Sequence, residues 1–316
     1  MTILTTTSSF GKSDPTSLKI LENEGFHVVL NPLARTLKED EVLDLLETHK
    51  PVGIIAGVEP LTGSVLQEAG KYLKVVSRCG TGMDNVDLEA AKEFGITVRN
   101  TPEAPAEAVA ELTLGLILAL LRNIPLHNQA VHAGFWSKKM GLLLSETTVG
   151  LIGLGRIGKR VAAALDLLGA KVIASDTLPD QAWLAAHPRI HIVGVDELLP
   201  ASDVVSLHLP SASGPLKHFM NAGKLAKMKP GAYLINTSRG GLIDEAALIA
   251  SLNSEHLAGA AIDVFEDEPY TKGPLLQQPN VIVSPHVGSF ARATRSRMEI
   301  EAAQNLLHAL ETPAAS

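Results

Sequence analysis

Residues 147–176 read TTVGLIGLGRIGKRVAAALDLLGAKVIASD, and the fold of the whole chain is read outward from them. Residues 149–152 form an apolar strand, and the turn Gly153-Leu154-Gly155-Arg156-Ile157-Gly158 breaks it. An amphipathic helix then runs to about Gly169, and 172–175 make a second strand closed by Asp176. Three glycines between a strand and a helix suit a dinucleotide. Gly153 permits the tight turn, Gly155 lets backbone approach a pyrophosphate, and Gly158 lets the helix lie close to the strand. The helix N-terminus adds free N–H groups and the positive end of its dipole. A carboxylate at the end of the second strand accepts hydrogen bonds from ribose hydroxyls and repels a 2′-phosphate. Asp176, with no arginine beside it, therefore points to NAD over NADP.

Around this unit the chain alternates short strands with helices. Strands are expected at 3–6, 28–30, 53–56, 73–77 and 97–99, with helices at 15–24, 39–49, 63–69 and 87–94. That alternation implies a parallel sheet covered on both faces. The breaker Asn100-Thr101-Pro102 precedes a long apolar helix, 106–122, which is expected to connect the domains. Further strands are expected at 190–193, 204–209, 232–236, 259–264 and 281–284, and a last helix at 292–310 packs back on the first domain. The fold class is thus α/β, two doubly wound parallel-sheet domains with a Rossmann cofactor domain inserted into a flavodoxin-like substrate domain. The expected bounds are 1–100 plus 288–316 for the substrate domain and 101–287 for the NAD domain, with a cleft between them.

Composition narrows the class. A chain of 316 residues exceeds what one core usually holds. With 27 basic and 34 acidic residues, a net charge of -7 and no basic tract, neither nucleic acid nor a membrane is an expected partner. The single cysteine, Cys79, fits a reducing cytoplasm, and the N-terminus lacks the features of a signal peptide. No HxxxH, HExxH or Cys/His cluster suggests a metal.

Three strand ends carry candidate chemistry: INTSRGG (235–241), DVFEDEP (263–269) and SPHVGS (284–289). Arg239 can grip a carboxylate or ketone oxygen with two parallel hydrogen bonds. His286 is the natural proton carrier between an alcohol and a ketone, and a carboxylate beside it, Glu266 or Glu268, would favour the imidazolium. Spacing alone does not show that these groups meet.

These stretches, with SRCGTGMDNVD (77–87), NTP (100–102) and VAELT (109–113), resemble the D-isomer-specific 2-hydroxyacid dehydrogenase family over essentially the whole chain, and in particular its 3-phosphoglycerate dehydrogenase branch. The resemblance implies hydride transfer between nicotinamide and C2 of a small D-2-hydroxy acid or 2-keto acid, with 3-phosphoglycerate first and glyoxylate or hydroxypyruvate reduction second. It implies that Arg239 binds substrate, that His286 is the acid/base supported by Glu268 rather than Glu266, and that Asp263 holds the nicotinamide carboxamide. The cofactor contacts it implies are Gly153, Gly155, Arg156, Ile157, Gly158, Asp176, His208, Pro210, Thr237, Asp263 and Gly288. The loop Arg78, Cys79, Gly80, Thr81 and Gly82 is implied to offer backbone N–H groups to the substrate carboxylate.

Some positions depart from the pattern. The turn Ala56-Gly57-Val58-Glu59 carries an acid where phosphate users often carry a base, and an acid there discourages a phosphate. Pro105 replaces a usual Asn, and the run Leu209-Pro210-Ser211-Ala212 differs from the usual one near the adenosine. With the chain ending at Ser316, no regulatory extension is expected. The long apolar helix with Trp136 beyond it resembles the family's dimer-forming arm, so a homodimer is expected, and Lys138 and Lys139 match a basic segment that reaches a neighbouring subunit. A dinucleotide sensor on the same fold, as in the family's transcriptional corepressors, is the alternative from a different class.

Overall fold

The computed structural model describes residues 1–210 and 214–312. The chain forms two compact units, Met1–Pro105 with Ser289–Ser316 (unit 1) and Ala106–Gly288 (unit 2).

In unit 1 the strands are β1 (Thr2–Thr5), β2 (His27–Val29), β3 (Gly53–Ala56), β4 (Val75–Arg78) and β5 (Thr97–Asn100). Between them lie α1 (Thr16–Asn23), α2 (Glu39–His49), α3 (Gly63–Ala69) and α4 (Leu88–Glu93). All the strand pairs are parallel, in the order β2-β1-β3-β4-β5. β3 is buried throughout, as a strand covered on both faces must be. Pleating sends Ile54 to one apolar cluster, with Leu4, Val42 and Leu66, and Ile55 to the opposite one, with Ile3 and Leu21. Each such burial contributes about 2 kcal/mol. α2 begins on three acids, Glu39, Asp40 and Glu41, that complement its dipole, and the Glu41 carboxylate accepts the Lys38 N–H at 2.8 Å.

Unit 2 opens with α5 (Ala106–Leu121) and α6 (Ile124–His132). The two are bent by 63° because Asn123 takes a left-handed conformation (φ 51°) ahead of Pro125. α5 is apolar on nearly all sides and largely buried. Among the described residues no single helix is long and apolar enough to cross a membrane. Next come β6 (Thr148–Ile152), α7 (Arg156–Leu167), β7 (Lys171–Ser175), α8 (Gln181–Ala185), β8 (His191–Ile192), α9 (Val195–Ala201) and β9 (Val204–Leu207). They are followed by α10 (Ala222–Lys227), β10 (Ala232–Asn236), α11 (Glu245–Asn253), β11 (Leu257–Ile262) and β12 (Val281–Val283). The chain ends in unit 1 with α12 (Arg292–Glu311), whose Met298, Ala302 and Leu306 lie in the cluster of Ile3 and Ile55.

The second sheet is also parallel, in the order β12-β11-β10-β9-β6-β7-β8. Chain direction across it reverses between β6 and β9, a switch point beside which doubly wound sheets bind nucleotides. β10 is buried throughout, Leu234 facing one apolar cluster and Tyr233 and Ile235 the other.

Two boundaries differ from the sequence reading. Residues 101–105 belong to unit 1, where the Thr101 N–H donates to Gly80 O at 3.1 Å. Gly288 belongs to unit 2, tied by its N–H to Asp263 Oδ2 at 2.9 Å. Expected residues 313–316 and Ser211 and Ala212 lie outside the described residues.

Candidate active site

The turn after β6 is a cradle shaped by what it lacks. Gly153 has φ 99°, and a Cβ there would lie 2.4 Å from His208 O; one on Gly158 would lie 2.2 Å from Gly153 O. Above Gly155 the space is open. α7 starts at Arg156 with no side-chain cap, so its first N–H groups face outward as an anion site. Arg156 is exposed and Ile157 half-buried on that first turn. Asp176 Oδ2 accepts the Leu154 N–H at 2.6 Å and Oδ1 the Leu178 N–H at 2.8 Å. The acid thus braces the glycine turn, a second role not visible in the sequence, and each oxygen keeps lone-pair capacity for a ribose hydroxyl.

His208, just past β9, bonds through Nε2 to Ser206 Oγ at 3.0 Å. Its Nδ1 is buried with no hydrogen-bond partner among the described residues. Burial pushes its pKa down to about 4, so the ring is neutral at physiological pH. Pro210 beyond it is exposed. A glycine cradle that any Cβ would fill, an uncapped helix start and an orphaned ring nitrogen beside them fit a dinucleotide at this edge.

The second group of residues sits at the adjoining strand ends. After β10, Thr237 Oγ1 lies 2.8 Å from Thr113 Oγ1, and Asn236 Nδ2 donates to Arg239 O at 2.9 Å, fixing the turn that presents Arg239. The Arg239 Nη1 donates to Ser238 O at 2.7 Å. A Cβ on Gly240 would lie 1.9 Å from Phe265 O, so this turn is pressed against the loop after β11. On that loop Glu268 Oε1 accepts the Phe265 N–H at 3.0 Å, and Oε2 lies 2.8 Å from His286 Nδ1. Burial alone would raise the Glu268 pKa. The His286 hydrogen bond and charge, the Phe265 N–H and the Arg239 charge together outweigh it and hold the carboxyl below its ordinary value. His286 and Glu268 both remain accessible. Glu266, the other acid of the loop, pairs instead with His218 Nε2 at 2.8 Å.

Asp263 proves to be the clamp of the His286 turn. It is fully buried, and its carboxylate accepts from Ser284 Oγ (2.6 Å), Val287 N–H (2.9 Å) and Gly288 N–H (2.9 Å). Its carbonyl takes the His286 N–H at 2.8 Å, and His286 itself is held at φ 53°, a conformation costly for a non-glycine residue. Burial raises the Asp263 pKa, opposed by these donors and by His286. Asp263→Ala strands one buried and two part-buried donors, so it is expected to lower unfolding free energy by about 2–4 kcal/mol in urea titrations.

In unit 1, the loop after β4 holds the remaining expected residues. Arg78 Nη1 donates to Cys79 O at 2.5 Å and folds over Gly80, whose φ is 151°. The Cys79 N–H goes to Ala56 O at 2.8 Å and that of Gly80 to Arg78 O at 3.0 Å. Asn100 Nδ2 donates to Thr81 O at 2.7 Å, and Gly82 is half-buried beyond it. Burial lifts the Cys79 thiol to about 11, so it is no nucleophile. Among the described residues no group of three or more His, Cys, Asp or Glu could hold a metal ion.

Residues 114–288 match the model of the D-isomer specific 2-hydroxyacid dehydrogenase NAD binding domain. The chain belongs to the D-isomer specific 2-hydroxyacid dehydrogenase family. Unit 2 is accordingly its NAD binding domain. Hydroxypyruvate reductase of Thermotoga maritima is 38% identical over 279 residues, 87% of this chain and 89% of that protein. D-3-phosphoglycerate dehydrogenase of Rattus norvegicus is 37% identical over 289 residues, 90% of this chain and 52% of that one. The chain thus spans about half the length of the phosphoglycerate dehydrogenases it matches. The solved D-lactate dehydrogenase of Aquifex aeolicus, complexed with NAD and lactic acid, superposes with a TM-score of 0.85 at 28% identity, covering 98% of this chain and 95% of that one.

Proposed function

We propose that this dehydrogenase-family protein interconverts a small D-2-hydroxy acid and its 2-keto acid with NAD. The observation that carries the reading is the accessible His286 ring held 2.8 Å from Glu268, with Arg239 on a turn pressed against the same loop. The bound nicotinamide supplies the hydride acceptor or donor. His286 Nε2, the nitrogen not held by Glu268, takes the hydroxyl proton in oxidation and returns it in reduction. Glu268 holds Nδ1 and so fixes the ring's orientation. Arg239 steadies the C2 oxygen as charge develops. With the N–H groups of Cys79 and Gly80 spent inside unit 1, Thr81 and Gly82 are the loop positions we assign to the substrate carboxylate.

The relatives named hydroxypyruvate reductase and phosphoglycerate dehydrogenase act, by their names, on three-carbon acids that differ by a phosphate and by the oxidation level of C2. The motifs put the phosphorylated pair first; the buried carboxyl of Glu59 in unit 1 favours the unphosphorylated one, hydroxypyruvate or glyoxylate. The test is oxidation of NADH by the purified protein with hydroxypyruvate, glyoxylate and phosphohydroxypyruvate at matched concentrations. Turnover of at least one supports the reading. NADH binding with no turnover of any overturns it in favour of a dinucleotide sensor.

The same proposal includes a homodimer in the cytoplasm. Residues 131–140 are all exposed, among them Phe135 at 66%, Trp136 at 83% and Met140 at 93%, a run of large apolar surface that a second copy would cover. Light scattering is expected to give twice the 33.4 kDa of one chain. Trp136→Glu is expected to shift the protein to one chain's mass, and a monomeric parent contradicts the assignment.

A further inference from the structure

Unit 1 has its own switch point. The order β2-β1-β3-β4-β5 reverses chain direction between β1 and β3, and the crevice beyond the carboxyl ends of such strands is where open α/β sheets take ligands. Here a carboxyl group of the chain itself lies between the turns after β1 and β3. Glu59, on the turn after β3, is 1% exposed. Its Oε1 accepts from Thr6 Oγ1, just past β1, and from the Gly57 N–H at 2.8 Å, and its own N–H adds a further donor. A Cβ on Gly57 would lie 2.7 Å from Glu59 Oε2 and 3.4 Å from Thr7 Cα, so the carboxyl packs into the gap between the two loops.

Backbone N–H groups of one turn converging with a hydroxyl make an anion cradle. This one holds the chain's own carboxyl group. Asn85 Nδ2 locks the turn by donating to Glu59 O at 2.7 Å and Gly57 O at 3.3 Å. Arg78, paired in register with Ala56 across β3 and β4, places its charge close enough to oppose the burial that raises the Glu59 pKa.

We propose that Glu59 is a specificity-determining residue: its carboxyl group occupies the cradle at the ends of β1 and β3 and so excludes a substrate bearing a phosphate at its far end. A phosphate arriving there finds the donors taken and a carboxyl in place, a built-in repulsive element of the kind that sets specificity. The inference rests on the proposed dehydrogenase reading for its choice of substrates, and its test is separable from it.

The specificity constants for phosphohydroxypyruvate and hydroxypyruvate are measured with NADH for the parent protein, Glu59→Ser, which frees the donors, and Glu59→Gln, which keeps the shape without charge. The ratio of phosphorylated to unphosphorylated acid is expected to rise by about ten-fold or more in Glu59→Ser, and by less in Glu59→Gln. A purely structural tie between β1 and β3 would lower both constants together, and an unchanged ratio overturns the proposal. Inorganic phosphate is titrated calorimetrically into each protein with the dinucleotide site saturated by NADH. Binding at least about five-fold tighter to Glu59→Ser than to the parent is expected, and equal binding overturns the proposal. If no protein turns over either acid, the dehydrogenase reading fails while the phosphate titration still decides the role of Glu59. Should Glu59→Ser prove unfolded by circular dichroism, Glu59→Gln carries both measurements.

Discussion

Replacing His286 by glutamine is expected to lower kcat by about a thousand-fold while leaving NADH affinity within about two-fold of the parent. The argument starts from the turn. Asp263 clamps Ser284, Val287 and Gly288, and this holds His286 at positive φ with its ring against Glu268. Glutamine fills the same space and keeps a hydrogen bond to Glu268, but it has no group that exchanges a proton near neutral pH. The dinucleotide cradle lies on other strand ends, at Gly153 and Asp176, so ground-state cofactor binding is largely spared. Steady-state turnover and fluorescence titration with NADH separate the two effects. Equal losses in both would place His286 in cofactor binding instead.

Arg239→Gln is expected to reduce kcat/KM by about two to three orders of magnitude. Its turn is also held by groups other than the guanidinium, Asn236 Nδ2 on Arg239 O and the pressed contact of Gly240 with Phe265, so the variant should fold as the parent does. Arg239→Lys should recover little, because a point charge does not reproduce two parallel N–H donors aimed at a planar acceptor. A thermal melt checks the fold and initial rates check the chemistry; a Lys variant close to parental activity would reduce Arg239 to a simple counter-charge.

What was legible in the sequence was local. The strand, glycine turn, helix and closing Asp176 form one continuous segment, and their chemistry follows from neighbours in the chain. The choice between Glu266 and Glu268 was open on the residues alone, because it depends on two loops meeting. In space Glu268 faces His286, whereas Glu266 faces His218. The clamp by Asp263 and Ser284 was hidden for the same reason: it needs the backbone of the His286 turn to aim two N–H groups at one carboxylate. Glu59 read as an acid that would discourage a phosphate, yet its burial comes from the β1 loop, 53 residues away in sequence. The end of α5 was read at Arg122, one residue past Leu121, whereas α6, which begins at Ile124 with Pro125 in its first turn, was not read.

The most direct test of the proposed chemistry is isotope transfer. D-glycerate carrying deuterium at C2 is incubated with the protein and NAD, and the reduced nicotinamide is analysed by mass spectrometry. One deuterium per NADH formed, lost in His286→Gln along with turnover, is the predicted result. NADH formed without the label would contradict hydride transfer from C2.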